Sequence, residues 1–128
     1  MGINKLVDVL VANLAVYEDK TKKTILELLI SGMLAGAFIA IGASSSSAAV
    51  YGISNTGLAK TLAGAIFPVG LIFVVMIGGE LFTGDCLMSL DAMNKRVKIS
   101  QIIRVLVLVF VFNMLGALLI VCLVNRSG

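Results

Sequence analysis

Long apolar blocks separated by short polar stretches organise the chain. From Ile25 to Val50 the only charge is Glu27, and from Ile102 onward the only charge before Arg126 is Arg104. At ~1.5 Å per helical residue these two blocks run to roughly 39 and 35 Å. That is enough to cross a hydrocarbon core of about 30 Å with some tilt. The block between them, Leu62 to Ile77, is apolar apart from small residues and Pro68. At the same rise it reaches only about 24 Å, short of a full crossing. Next come Gly78-Gly79-Glu80-Leu81-Phe82-Thr83-Gly84-Asp85 and a further apolar run, Cys86 to Leu90. Glycines and carboxylates in such density make a poor lipid-facing helix. Non-helical backbone at membrane depth is tolerated only where protein surrounds it or it lines a watery cavity, and ionisable residues there mark functional positions. The pattern predicts an all-α membrane protein with three transmembrane helices, at about 24–51, 58–93 and 100–124, the second broken by a mid-membrane loop over 78–85.

Ahead of this three-span unit, 24–128, lies a segment 1–23 with Ile3, Leu6, Val7, Leu10, Val11 and Leu14 at helical spacing and Asn4, Lys5, Asp8 and Glu18 on other faces. It predicts an amphipathic helix lying on the cytoplasmic membrane surface or packed beneath the bundle. Within the first span, Gly32, Gly36, Ala40, Ser44, Ala48 and Gly52 form a row of small residues at intervals of four. Such rows let helix backbones approach closely in lipid, so this helix is expected to be central and tightly packed. The hydroxyls of Ser44 to Ser47 either bond across helices or to water, or return to their own helix carbonyls.

Composition agrees. Of 128 residues, 59% are hydrophobic and 13% charged, and mean hydropathy is +1.10, more apolar surface than a soluble domain of this size can hide. A secretory signal is disfavoured, because the first run is too long and lacks a clean small-x-small cleavage site. Lys20, Lys22 and Lys23 precede the first span, Lys60 alone lies between the first and second, Lys95, Arg96, Lys98 and Arg104 between the second and third, and Arg126 follows the third. Basic clusters mark the cytoplasmic side, which places the N-terminus inside and the last residues outside. Without histidine, and with only Cys86 and Cys122 as thiols, no metal-ligand spacing exists and the usual general base near neutral pH is missing. No cofactor, metal or nucleic-acid partner is expected, and the bilayer is.

Half-helix ends within the membrane favour anions through their freed N–H groups. Asp85 or Thr83 is expected to cap a helix starting near Cys86. Glu80 would repel an anion, so it is expected to point away from any path and to accept hydrogen bonds from loop N–H groups or a partner helix. Leu81 and Phe82 would serve as packing residues in any membrane interior, and Thr83 as a local backbone partner. Their joint place in a glycine-flanked break is what raises a functional role.

Gly78-Gly79-Glu80-Leu81-Phe82-Thr83-Gly84 resembles the signature of the formate/nitrite transporter family, in which a loop with an acidic residue, Leu, Phe and Thr breaks the second helix. Phe67 to Leu71 before the break, and Asn113-Met114-Leu115-Gly116-Ala117, similar to the family's Asn-x-x-Gly-Ala, extend the resemblance. Gly84-Asp85-Cys86 departs from the formate branch and looks more like the hydrosulfide-channel branch. The resemblance implies an aquaporin-like six-helix protomer of two inverted three-span repeats, of which this chain is the first, assembled as a homopentamer with a pore in each protomer. It implies pore constrictions at Leu81, Phe82, Phe67 and Leu71, and an anion contact at Thr83. Gly78, Gly79, Glu80, Gly84 and Asp85 would shape the loop. It also implies a histidine donated by the second repeat.

These readings converge on a channel for a small monovalent anion (hydrosulfide, formate or nitrite) in a bacterial plasma membrane. A non-conducting assembly subunit is the rival. An enzyme is not expected, since Glu80, Asp85 and Asp91 come with no histidine, metal spacing or phosphate loop.

Overall fold

The computed structural model describes residues 19–89 and 97–127, with Lys5 and Val16 as isolated positions. The amphipathic helix expected over 1–23 falls mostly outside the described residues, as does the end of the second span expected beyond Ser89. The described regular structure is entirely helical. Helix α1 spans Ile25–Ala49. Thr24 starts it: the Glu27 N–H donates to Thr24 Oγ1 at 3.3 Å, and the Thr24 N–H donates to Glu27 Oε2 at 2.7 Å. This reciprocal capping box employs the one charge of the first apolar block at the helix mouth.

Helix α2, Thr56–Ile66, is capped by Asn55, whose Oδ1 accepts the Leu58 N–H at 3.1 Å. Helix α3, Pro68–Ile77, follows with no loop, because Phe67 keeps helical angles (φ −51°, ψ −42°). Pro68 has no N–H to continue the ladder, and it marks the joint. Together Thr56–Ile77 make 22 residues, long and apolar enough to cross a membrane. Length alone would let this helix cross, but the break that follows it is tied to the middle of the helix Ile99–Arg126, so Thr56–Ile77 is the first part of the broken second span. The turn of helix before Leu62 accommodates its polar residues, for example by Thr61 Oγ1 donating to Gly57 O at 3.0 Å.

Helix α3 stops because Gly78 is left-handed (φ 65°, ψ 36°). The Gly78 N–H then donates to Val75 O and the Gly79 N–H to Val74 O, the paired bonds of a Schellman ending. Helix resumes at Phe82 as α4, Phe82–Asp85, running into a 3-10 turn, Cys86–Met88. The break is therefore Gly78–Leu81, half the 78–85 expected. Helix α5 spans Ile99–Arg126.

Two glycine crossings set the packing. A Cβ on Gly36 would overlap the backbone of Asn113, and one on Gly116 the backbone of Met33, so α1 and α5 meet backbone to backbone. On another face of α1, a Cβ on Gly42 would lie 2.9 Å from Phe67 O, and one on Gly70 2.5 Å from Phe38 O. The expected small-residue row holds only in part. Gly32, Gly36 and Ala40 are buried, but Ala48 is exposed and Gly52 lies beyond the helix in a left-handed turn (φ 78°). Ser46, buried, donates to Ala63 O at 3.0 Å and ties α1 to α2. The apolar core gathers at the end where α1 and α5 begin, around Leu28, Met88, Val105, Val109 and Phe112.

Candidate functional site

The break is the site the sequence singles out, and α5 fixes its depth. Asn113 Oδ1 accepts the Phe82 N–H at 3.0 Å, while its Nδ2 donates to Glu80 O at 2.8 Å and to Gly32 O at 2.9 Å. Asn113 stands roughly 20 Å from either end of α5 at the helical rise, so the loop backbone is held level with the middle of a spanning helix. Freed backbone groups at that depth need partners from protein, and Asn113 supplies them.

The capping expectation is thereby corrected. Helix begins at Phe82, not near Cys86, its cap position is Leu81, and no side chain of α4 caps it. Asn113 takes up the first N–H instead. Asp85 sits inside the helix, fully buried.

Both loop carboxylates are ion-paired from a place far back in the chain. Lys20 Nζ lies 2.6 Å from Glu80 Oε2 and 2.6 Å from Asp85 Oδ1, and Lys23 Nζ lies 2.5 Å from Glu80 Oε1. Glu80 is 1% exposed and Asp85 0%. Carboxylates this deep persist as ions only when paired, and among the described residues two lysines face the two acids. Burial works to lower the pKa of Lys20, but hydrogen bonds to Asp85 and Glu80, with their charges, raise it above the ordinary lysine value. Lys20 is thus held as an ammonium. Glu80 was expected to take loop N–H groups or a partner helix. Its partners are lysines because the segment before α1 packs over the loop.

The remaining candidates divide between two open grooves. One, of about 230 Å³, is lined by Leu71, Val75, Leu81 and Thr83 together with the ion-paired Lys20 and Asp85. The other, of about 320 Å³ and almost wholly apolar, brings Leu81, Phe82 and Thr83 against Ile39, Phe110 and Met114 of α1 and α5. Leu81 and Thr83 border both. Phe82 leans edge-on to Phe110, ring centroids 5.4 Å apart, a favourable aromatic geometry. Phe67 lines neither groove; it stands one helical turn from Leu71 on the same face, half-exposed. Gly79 is close-packed, a Cβ there lying 3.2 Å from Ala35 Cβ, whereas Gly84 has open space around it. No metal-binding cluster occurs among the described residues.

Sequence reasoning used Lys20 and Lys23 only to orient the chain. A partial signal was present: two buried acids call for nearby cations, and Lys20 and Lys23 sit in one of the basic clusters that flank the spans.

Three helices long and apolar enough to span, one followed by a polar break that Asn113 ties to the middle of α5, define a multi-pass membrane protein. The chain belongs to the formate/nitrite transporter family, which it matches over residues 8–128; this is a family of transporters rather than enzymes. It is 40% identical over 111 residues to a probable formate transporter of Methanothermobacter thermautotrophicus, covering 83% of the chain and 40% of that protein. It is 33% identical over 113 residues to the formate channel BtFdhC of Bacillus thuringiensis, covering 86% of the chain and 44% of the channel. Over 72 residues it is 36% identical to the formate channel FocA of Escherichia coli strain K12, covering 56% and 25%. The chain spans about two-fifths of the length of the first two relatives. No solved structure matches it. The hydrosulfide-branch likeness at Gly84-Asp85-Cys86 finds no support in these relatives, which are named for formate.

Proposed function

We propose that the chain forms one wall of a membrane pore for a small monovalent anion, with formate as the first candidate and nitrite and hydrosulfide behind it. The observation that carries this is the placing of Leu71, Leu81 and Thr83 on one groove beside a break whose carboxylates are neutralised by lysine. An uncompensated acid at that depth would repel an anion; a paired one does not. Because Asp85 is bound to Lys20, the unusual Gly84-Asp85-Cys86 answers to an ion pair and says nothing of the anion; formate comes first because the relatives are named for it.

In this mechanism Leu71 and Leu81 form an apolar neck, with Phe67 an outer lip one turn away and Phe82 anchoring the loop against Phe110. Thr83 Oγ1 offers a hydroxyl to an anion that has shed water. Stripping an anion costs several kcal/mol or more, so a neck of this kind passes small ions with compensating donors and holds back hydrated ones. One wall encloses nothing by itself. A second three-span repeat would face the grooves, in an aquaporin-like protomer that assembles as a homopentamer, N-terminus cytoplasmic, in a bacterial plasma membrane.

The test is radiolabelled formate flux into liposomes holding the complete pore protein, with and without Leu81→Trp. Saturable flux that the tryptophan blocks supports the proposal. Flux indifferent to Leu81→Trp removes Leu81 from the neck, and no flux above protein-free liposomes leaves the assembly-subunit reading in its place.

A further inference from the structure

The hydrogen bonds of Asn113 fall on either side of a single residue. Glu80 O belongs to the peptide group before Leu81, and the Phe82 N–H to the peptide group after it. One side-chain amide therefore grips both peptide planes that flank Leu81 and closes a ring across it. The third bond, to Gly32 O, ties that ring to α1. The plane after Leu81 is held a second time, because Leu81 O accepts the Asp85 N–H at 2.9 Å. The φ and ψ of a residue are rotations of its two flanking planes. With both planes fixed, Leu81 stays extended (φ −115°, ψ 126°) and its Cα–Cβ bond has no freedom of direction.

We propose that Asn113 is the positioning residue that aims Leu81 into the neck, an inference that rests on the pore reading above. The amide is chemically suited to this. It presents two donors to two carbonyls and one acceptor to one N–H, a combination that neither a carboxylate nor a hydroxyl reproduces. The close crossing at Gly36 brings the Asn113 backbone near enough to α1 for so short a side chain to reach both Gly32 and the loop. Asn113 is half-buried and need not touch the anion.

Two measurements on the complete pore protein test this. In liposomes, formate and acetate influx are compared for the unmodified protein, Asn113→Ser, Leu81→Ala and the double variant, each normalised to monodisperse protein. Losing aimed hydrogen bonds of ~0.5–1.5 kcal/mol corresponds to roughly a two- to tenfold fall in the formate-to-acetate ratio. Asn113→Ser and Leu81→Ala are expected to lower the ratio alike, the double variant no further, and Asn113→Gln to recover part of it. A merely structural Asn113 would scale both fluxes equally and leave the ratio intact, which overturns the proposal, as does an additive fall in the double variant.

The second measurement does not depend on conduction. In a Cys86→Ala, Cys122→Ala background, Leu81→Cys is labelled with a water-soluble maleimide, with Asn113 present or replaced by serine. A severalfold change in labelling rate supports the aiming role, and an unchanged rate overturns it. An inert pore with a changed labelling rate overturns the pore reading alone.

Discussion

Replacing Lys20 by methionine keeps a long apolar stem and removes one charge. In the intact protein that charge lies 2.6 Å from each of two carboxylates. After the change Lys23 is the one cation that faces them among the described residues, and Asp85 loses its counter-charge. Removing one partner of a buried ion pair costs about 3–5 kcal/mol. The Lys20 side chain is 19% exposed, which places the cost toward the lower end, about 3 kcal/mol, or roughly a hundredfold in the unfolding equilibrium. The assay is reversible unfolding in mixed micelles, with Lys60→Met as control. Lys60 is exposed and has no ion pair among the described residues, so its loss is expected within about 0.5 kcal/mol. Adding Asp85→Asn to Lys20→Met removes the stranded charge and is expected to restore ~1–3 kcal/mol relative to simple addition. If Lys20→Met behaves like Lys60→Met, or Asp85→Asn worsens it additively, the loop is not held by this cluster.

Stability should also depend on pH with a definite sign. Because the cluster raises the pKa of Lys20, its contribution is complete below the ordinary lysine value of about 10.4 and is lost only as pH rises through the raised value. The stability gap between the intact protein and Lys20→Met, followed by unfolding above about pH 10, is expected to narrow as pH rises. Gly78→Ala forces a side chain into left-handed backbone at φ 65° and should cost about 1–2 kcal/mol, Gly78→Asn less, both read as a fall in the unfolding midpoint. Glu80→Gln is expected to destabilise the loop while leaving anion over cation preference unchanged in liposome potential measurements. A swing toward cations would place Glu80 in the path.

The three spans were legible because lipid demands long apolar runs, and nothing in the packing competes with that demand. The start of the second helix was legible to within two residues, expected at about 58 and found at Thr56, but its cap, Asn55, was not picked out. Glu27 looked like a charge within a span and proved to be a helix cap. The period-four row on α1 identified Gly36 but passed over Gly42, which points to a different face. A helix that touches two neighbours by backbone needs two small faces, and a search along one row finds only one. In the loop, the glycines and acids announced the break, whereas its partners did not announce themselves. Lys20 and Lys23 lie far away in sequence, and the use of Asn113 depends on a crossing that only the folded chain reveals.

The sequence distance between the paired charges bears on how the protein enters a membrane. Lys20 precedes Asp85 by 65 residues and Lys23 precedes Glu80 by 57. Inserting an acid at the centre of a helix costs about 2.5–3.5 kcal/mol on biological scales. During synthesis the lysines leave the ribosome first and wait at the mouth of α1. The acids then arrive with their counter-charges already in place. The order of residues along the chain thus serves as an order of assembly, in which the cations are stationed before the segment that needs them is made.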